Sequence, residues 1–266
     1  MTILCIETST SVCSAAICKD GVPGKQCISY DGSNHARLLP RYIEELLSYA
    51  REQGLSIDAV ALSEGPGSYT GLRIGASTAK GLCYGLNIPL IPIPTLEVLC
   101  EAAKKSLSSV SPKDGLCSVS EQNERSASEA VLIPMIDARR MEVYTAIFDS
   151  ESKEESRKSK DDRARAVVVE NEECLFSPSL LGEGRGEASY FYFGDGAEKC
   201  AKIFTKTNWH YVPNIVPEAQ FMGAIVESRK SKVESPKMIS GAELAYYEPF
   251  YLKEFIAAPS HVKGLN

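Results

Sequence analysis

The segment Ser63-Glu64-Gly65-Pro66-Gly67-Ser68-Tyr69-Thr70-Gly71-Leu72-Arg73-Ile74-Gly75 decides the fold. Before it, Asp58 to Ser63 is a short apolar run that reads as a strand. Gly65, Pro66 and Gly67 impose a turn, and from about Thr70 the chain takes up helical spacing as far as Leu86, with Ser68 or Thr70 as N-cap. A strand end, a glycine turn and a helix start in that order present free backbone N–H groups, which can hold an anion. The same local pattern also fits a tight connection with no ligand, and that is the simpler reading.

Upstream, Ile3 to Ile6, Val12 to Cys18 and Lys25 to Tyr30 read as three strands, with a turn at Lys19-Asp20-Gly21. Asp31 to Asn34 breaks the chain ahead of a helix over His35 to Gln53. In it Leu38, Leu39, Tyr42, Ile43, Leu46, Leu47 and Ala50 recur at three- and four-residue spacing. Pro40 should start this helix late or kink it. Downstream, Ile88 to Ile93 is a strand and Leu96 to Lys104 a helix. The order βββαβαβ is that of an α/β domain.

The remainder is harder to read. Three polar stretches, near 105–130, 150–166 and 177–189, look like insertions. Between them a hairpin is expected at Val131 to Ile136 and Glu142 to Phe148. Tyr190 to Phe193 reads as a strand, and Ala197 to Phe204 as a short helix. The order permits a degraded copy of the first unit, and the expected division is 1–104 and 105–266.

Composition narrows the function. The net charge of -6 argues against charge-driven nucleic-acid binding as the main activity. Nine cysteines without a C-x-x-C pair argue against zinc and against a disulfide framework. Met1 to Glu7 is no signal peptide, and Thr70 to Leu86, interrupted by Arg73 and Lys80, is no membrane span. A soluble cytoplasmic protein is expected, with no membrane association.

Glu64 to Gly75 resembles the signature of the TsaB/TsaD group, once labelled glycoproteases. Further matches are Cys5 to Thr10, His35 with Leu38-Leu39-Pro40, Ala79 to Leu82, Ile88-Pro89-Leu90 and Thr95-Leu96-Glu97. Asp137 to Arg140 with Glu142-Val143-Tyr144, and Tyr251-Leu252-Lys253, follow in order. The likeness covers most of residues 1–104 and then patches. It implies the actin-like ATPase (ASKHA) fold: two lobes of mixed sheet flanked by helices.

Within the group, the catalytic member TsaD binds metal through two histidines on one helix face. Here Thr95 and Leu99 stand at those places, and the three histidines, His35, His210 and His261, include no such pair. Actin-like ATPases use an aspartate followed by Gly-Thr at the end of strand one. This chain has Glu7-Thr8-Ser9-Thr10 instead, with Glu7 better placed to accept loop N–H groups than to hold a metal. No G-x-x-x-x-G-K-[ST] loop is present, and Gly182 to Gly186 is weak as a nucleotide motif. Nucleotide or anion proximity, if any, would involve Glu7, Gly65, Gly67, Ser68 and Arg139. No metal or catalytic residue is assigned.

A binding role is suggested by small residues on the second helix. Gly71, Gly75 and Ala79 form one stripe, and Gly81 and Gly85 a second pair. Glycine inside a helix costs up to about 1 kcal/mol against alanine, so close packing should offset it. That packing can be within the monomer or with another chain. The resemblance implies a partner surface of His35, Leu38, Leu39, Ile43, Leu46, Leu47, Gly71, Arg73, Ile74, Gly75 and Ala79. On this reading Gly75→Leu abolishes association and leaves the monomer folded.

The resemblance further implies a non-catalytic subunit of tRNA threonylcarbamoyladenosine modification that binds and activates TsaD as a heterodimer. TsaE joins the complex and tRNA is met indirectly through it. A second copy of the chain is an alternative occupant of the same surface. The chain would hold no cofactor of its own, with ATP or ADP only at the interface of the complex. The rivals are a stand-alone ATP-dependent transferase or peptidase of the glycoprotease group, and a homodimeric scaffold unrelated to tRNA.

Overall fold

The computed structural model describes residues 1–32, 34–109, 130–149, 164–175, 188–230 and 237–253. The strand β1 (Thr2–Glu7) is buried along its whole length because both its faces are covered. Alternate residues serve different cores: Leu4 and Ile6 pack with Leu39, Ile43, Leu46 and Ala79, while Ile3 and Cys5 pack with Val98, Met222 and Ile225. β2 (Cys13–Lys19) and β3 (Val22–Ser29) follow as antiparallel neighbours. β4 (Ala59–Gly65) and β5 (Leu90–Pro94) add parallel strands on the other side, giving the order β3-β2-β1-β4-β5.

The connecting helices are α1 (His35–Glu52), α2 (Tyr69–Leu86) and α3 (Thr95–Ser109). α1 starts at His35 with Pro40 inside it and exposed, so the expected late start does not occur. α3 runs through the beginning of the expected 105–130 insertion. Residues 110–129 and 150–163, and 176–187 with Gly182 and Gly186, lie outside the described residues, as does His261.

The second sheet repeats the first. β6 (Ala130–Asp137) is its centre, with β7 (Glu142–Thr145) and β8 (Phe148–Asp149) antiparallel to it. β9 (Arg165–Val168) is antiparallel to β7, and β10 (Ser189–Phe193) and β11 (Trp209–Val212) are parallel on the opposite side. Read from β9, the order β9-β7-β6-β10-β11 matches β3-β2-β1-β4-β5. The internal copy is therefore present as topology, with its helices reduced. The helix expected at Ala197 to Phe204 is a tight turn, because Cys200, Ala201 and Ile203 donate to carbonyls three residues back.

The two units exchange their last helices. α3 places Leu96, Leu99, Cys100 and Ala103 against Leu132, Ile136 and Phe193 of the second sheet. α4 (Met222–Lys230) crosses in the other direction and covers Ile3, Cys5, Ala59 and Ala61 with Met222, Ile225 and Val226. Residues 237–253 also return to the first unit: Leu90 and Ile239 exchange backbone hydrogen bonds of 2.9 and 2.8 Å, ahead of α5 (Ala242–Tyr246). A division at 104 thus falls inside α3 and separates the first sheet from its C-terminal cover.

Candidate functional site

The end of β1 and the start of α2 interlock. The Thr8-Ser9 turn fills the places that the signature glycines leave open. A Cβ on Gly67 would stand 2.3 Å from the Ser9 carbonyl, one on Gly71 2.0 Å from the Thr8 carbonyl, and one on Gly75 2.4 Å from Thr8 Oγ1. Hydrogen bonds fasten the fit: Ser68 N donates to the Ser9 carbonyl at 2.6 Å, and Thr8 Oγ1 donates to the Gly71 carbonyl at 2.9 Å. Ser68 is the N-cap, accepting from Gly71 N at 3.3 Å. Gly65, at φ +113°, lies under the Phe250 carbonyl, 2.5 Å from where a Cβ would be. The signature glycines are thus required by the chain's own packing, against backbone at Gly65, Gly67 and Gly71 and against the Thr8 side chain at Gly75.

Glu7 is enclosed at the head of this turn. Its Oε1 accepts from Ser9 N at 2.7 Å and from Ser9 Oγ at 2.5 Å, while Oε2 is buried without a partner. Burial pushes its carboxyl above the usual range, opposed by the Ser9 hydrogen bonds. An enclosed acid whose Oε1 is taken up by Ser9 suits structure better than metal binding. The neighbouring Ser63 hydroxyl meets Thr95 Oγ1 at 2.6 Å, and Leu99 packs in the core. Among the described residues no cluster of three His, Cys, Asp or Glu could hold a metal. The residues here do not fit a phosphate-and-magnesium grip of the actin-like ATPase kind. His35 is buried and places Nε2 3.0 and 3.2 Å from the carbonyls of Thr10 and Val12, so this nitrogen carries the proton and secures the loop.

Between the lobes lies a cleft of about 500 Å³, with Ser9, Thr10 and Ser68 on one side and Asp137, Arg139 and Tyr144 on the other. Arg139 and Arg140 both have positive φ, +71° and +50°, in the hairpin turn. Arg139 lines the cleft. The turn is held by Asp137 Oδ1, which accepts from Arg139 N at 3.0 Å. Lys199 reinforces it by donating to the carbonyls of Arg140 and Glu142 at 2.9 and 2.6 Å and by pairing with Asp137. Sequence reasoning missed Lys199, whose isolated position carries no motif, and the cleft lining by Tyr251, Leu252 and Lys253, visible only as a family match.

The expected partner surface divides in two. His35, Leu39, Ile43, Leu46, Gly71, Gly75 and Ala79 are buried inside the chain. They cannot form a docking face, and Gly75→Leu would strike Thr8, so it tests folding rather than association. Leu38, Leu47 and Ile74 are half-buried and Arg73 is exposed, so these four remain accessible. The outward stripe of α2 is Arg73, Ser77, Gly81 and Gly85, beside Tyr84 at 86% exposure. Among the described residues, a Cβ on Gly81 or Gly85 would meet nothing within 4 Å. Among the described residues no helix is long and apolar enough to cross a membrane.

Comparison with known proteins agrees with this architecture. The chain is 37% identical over 103 residues to the tRNA threonylcarbamoyladenosine biosynthesis protein TsaB of Haemophilus influenzae, covering 39% of this chain and 43% of that one. It is 32% identical over 148 residues to the TsaB of Escherichia coli, covering 56% and 55%. The aligned segments thus span about half the length of these curated relatives. A Pseudomonas aeruginosa structure, described as an uncharacterized protein with similarity to peptidase YEAZ, superposes with a TM-score of 0.66 at 20% identity, over 95% of this chain and 99% of that one. That likeness shows the fold. Residues 30–254 match the family described as TsaD, tRNA N6-adenosine threonylcarbamoyltransferase, and the chain belongs to that family.

Proposed function

We propose that the chain acts in tRNA threonylcarbamoyladenosine biosynthesis as a non-catalytic subunit that binds and activates the threonylcarbamoyltransferase TsaD. The observation that carries this reading is the outer face of α2, where Gly81 and Gly85 leave open space beside exposed Arg73 and Tyr84. Glycine costs helix stability, and among the described residues no contact needs these two. Close approach by a second helix would use that space. Half-buried Leu38, Leu47 and Ile74 supply apolar contact at the α1–α2 seam. TsaE and tRNA join through the complex, ATP or ADP binds only at its interface, and a second copy of the chain competes for the same face.

The test is threonylcarbamoyladenosine formation on tRNA from threonine, bicarbonate and ATP, using matching TsaD, TsaE and adenylate synthase. Product is expected only when this chain is added, and none when it replaces TsaD. Equal product without it would overturn the reading and favour the scaffold alternative. The description of the Pseudomonas structure names a peptidase, so hydrolysis of a peptide or ATP-dependent transfer by the purified chain alone would favour the enzymatic alternative.

A further inference from the structure

Residues 237–253 form a strap that is fastened repeatedly to the first lobe. Ile239 pairs with Leu90; Lys80 Nζ donates to the carbonyls of Ala245 and Tyr247 at 2.7 and 3.2 Å; Phe250 N donates to the Glu64 carbonyl at 2.7 Å. The Tyr251 ring then packs on Tyr69 with centroids 5.0 Å apart. Past that point the strap crosses the mouth of the interlobe cleft, where Tyr251, Leu252 and Lys253 are part of the lining. Its last described residue reaches the other lobe: Lys253 Nζ pairs with the Glu142 carboxylate and lies 5.8 Å from the centre of the Tyr144 ring. Both partners belong to β7, and Lys199 holds the adjoining hairpin rigid by binding the carbonyls of Arg140 and Glu142.

We propose that Lys253 is an interlobe latch, which keeps the cleft closed by tying a strap anchored on the first lobe to β7 of the second. The anchor side is built from buried and backbone contacts, while the latch side, among the described residues, is a partly exposed ion pair with an aromatic face beneath it. Such a pair is weak and reversible, so it can set a balance between open and closed clefts without locking either. The strap also reaches the start of α2, where Tyr251 packs on Tyr69, whose hydroxyl accepts a hydrogen bond of 3.0 Å from Arg73 Nη1 one turn further along the helix. The proposal is independent of the identity of any partner.

Hydrogen exchange of the free full-length chain, read by mass spectrometry, tests it. Lys253→Gln should speed exchange about two- to fivefold in the cleft walls, residues 67–70 and 136–139, and leave β10 and β11 unchanged. The exchanged pair Lys253→Glu with Glu142→Lys should restore the slow rate. Unchanged walls in Lys253→Gln would overturn the latch. So would acceleration spread evenly over both lobes, or acceleration that persists in the exchanged pair.

Discussion

Glu7 shows how a buried acid can serve the fold. It is fully buried, receives two hydrogen bonds from Ser9 at one oxygen and none at the other, and its carboxyl titrates above the ordinary value of 4.5. The folded state therefore holds its proton more tightly than the unfolded state does. Its contribution to stability is complete below the unfolded value and is lost as pH rises through the raised folded value. Glu7→Gln keeps an acceptor for Ser9 and cannot ionise. Its melting temperature should gain on the parent as pH is raised from 4 towards 8. Parallel curves for the two proteins across that range would rule out a raised Glu7 carboxyl in the folded chain. The motif Glu7-Thr8-Ser9-Thr10 was legible as a departure from the ATPase pattern. The direction in which the turn points was not, because it depends on contacts with residues about 60 positions away.

The second helix carries two sets of small residues with opposite reasons, and a helical wheel alone does not tell them apart. Gly71 faces the Thr8 carbonyl, where a methyl group would overlap at 2.0 Å, whereas Gly81 faces open space. Gly71→Ala should cost about 1–3 kcal/mol despite its better helix propensity, because the clash outweighs the propensity gain. Gly81→Ala should gain about 0.5–1 kcal/mol for the same propensity reason with no opposing contact. Urea denaturation of the two variants measures both signs; a loss in Gly81→Ala would mean that its outward face is packed. The spacing of Leu39, Ile43 and Leu46 in α1 was readable because burial follows helical period. What the period cannot reveal is which of two apolar neighbours faces inward, and Leu38 and Leu47 ended half outside.

At the scale of the molecule, the exchange of α3 and α4 ties the lobes into one unit. Each sheet loses part of its cover if the other unfolds, so the lobes should melt together. Trp209, the sole tryptophan, sits in the second lobe, stacked on Tyr190 at 4.9 Å. Its fluorescence reports that lobe while far-UV circular dichroism reports both. Coincident midpoints are expected from the two signals, and two resolved transitions would show that the helix exchange does not couple the lobes. The first sheet was readable because its strands are apolar and separated by clear turns. The second was obscured because β9 and β11 are four-residue strands with weak alternation, and because its connecting helices have shrunk to tight turns. The interlock of Thr8 and Ser9 with Gly67, Gly71 and Gly75 reaches beyond this chain. Those glycines form a keyhole cut for a particular turn, and any descendant that keeps the turn must keep the keyhole, whether or not it still performs a reaction. Likeness in that motif therefore records inherited shape, and chemistry has to be read from the residues around it.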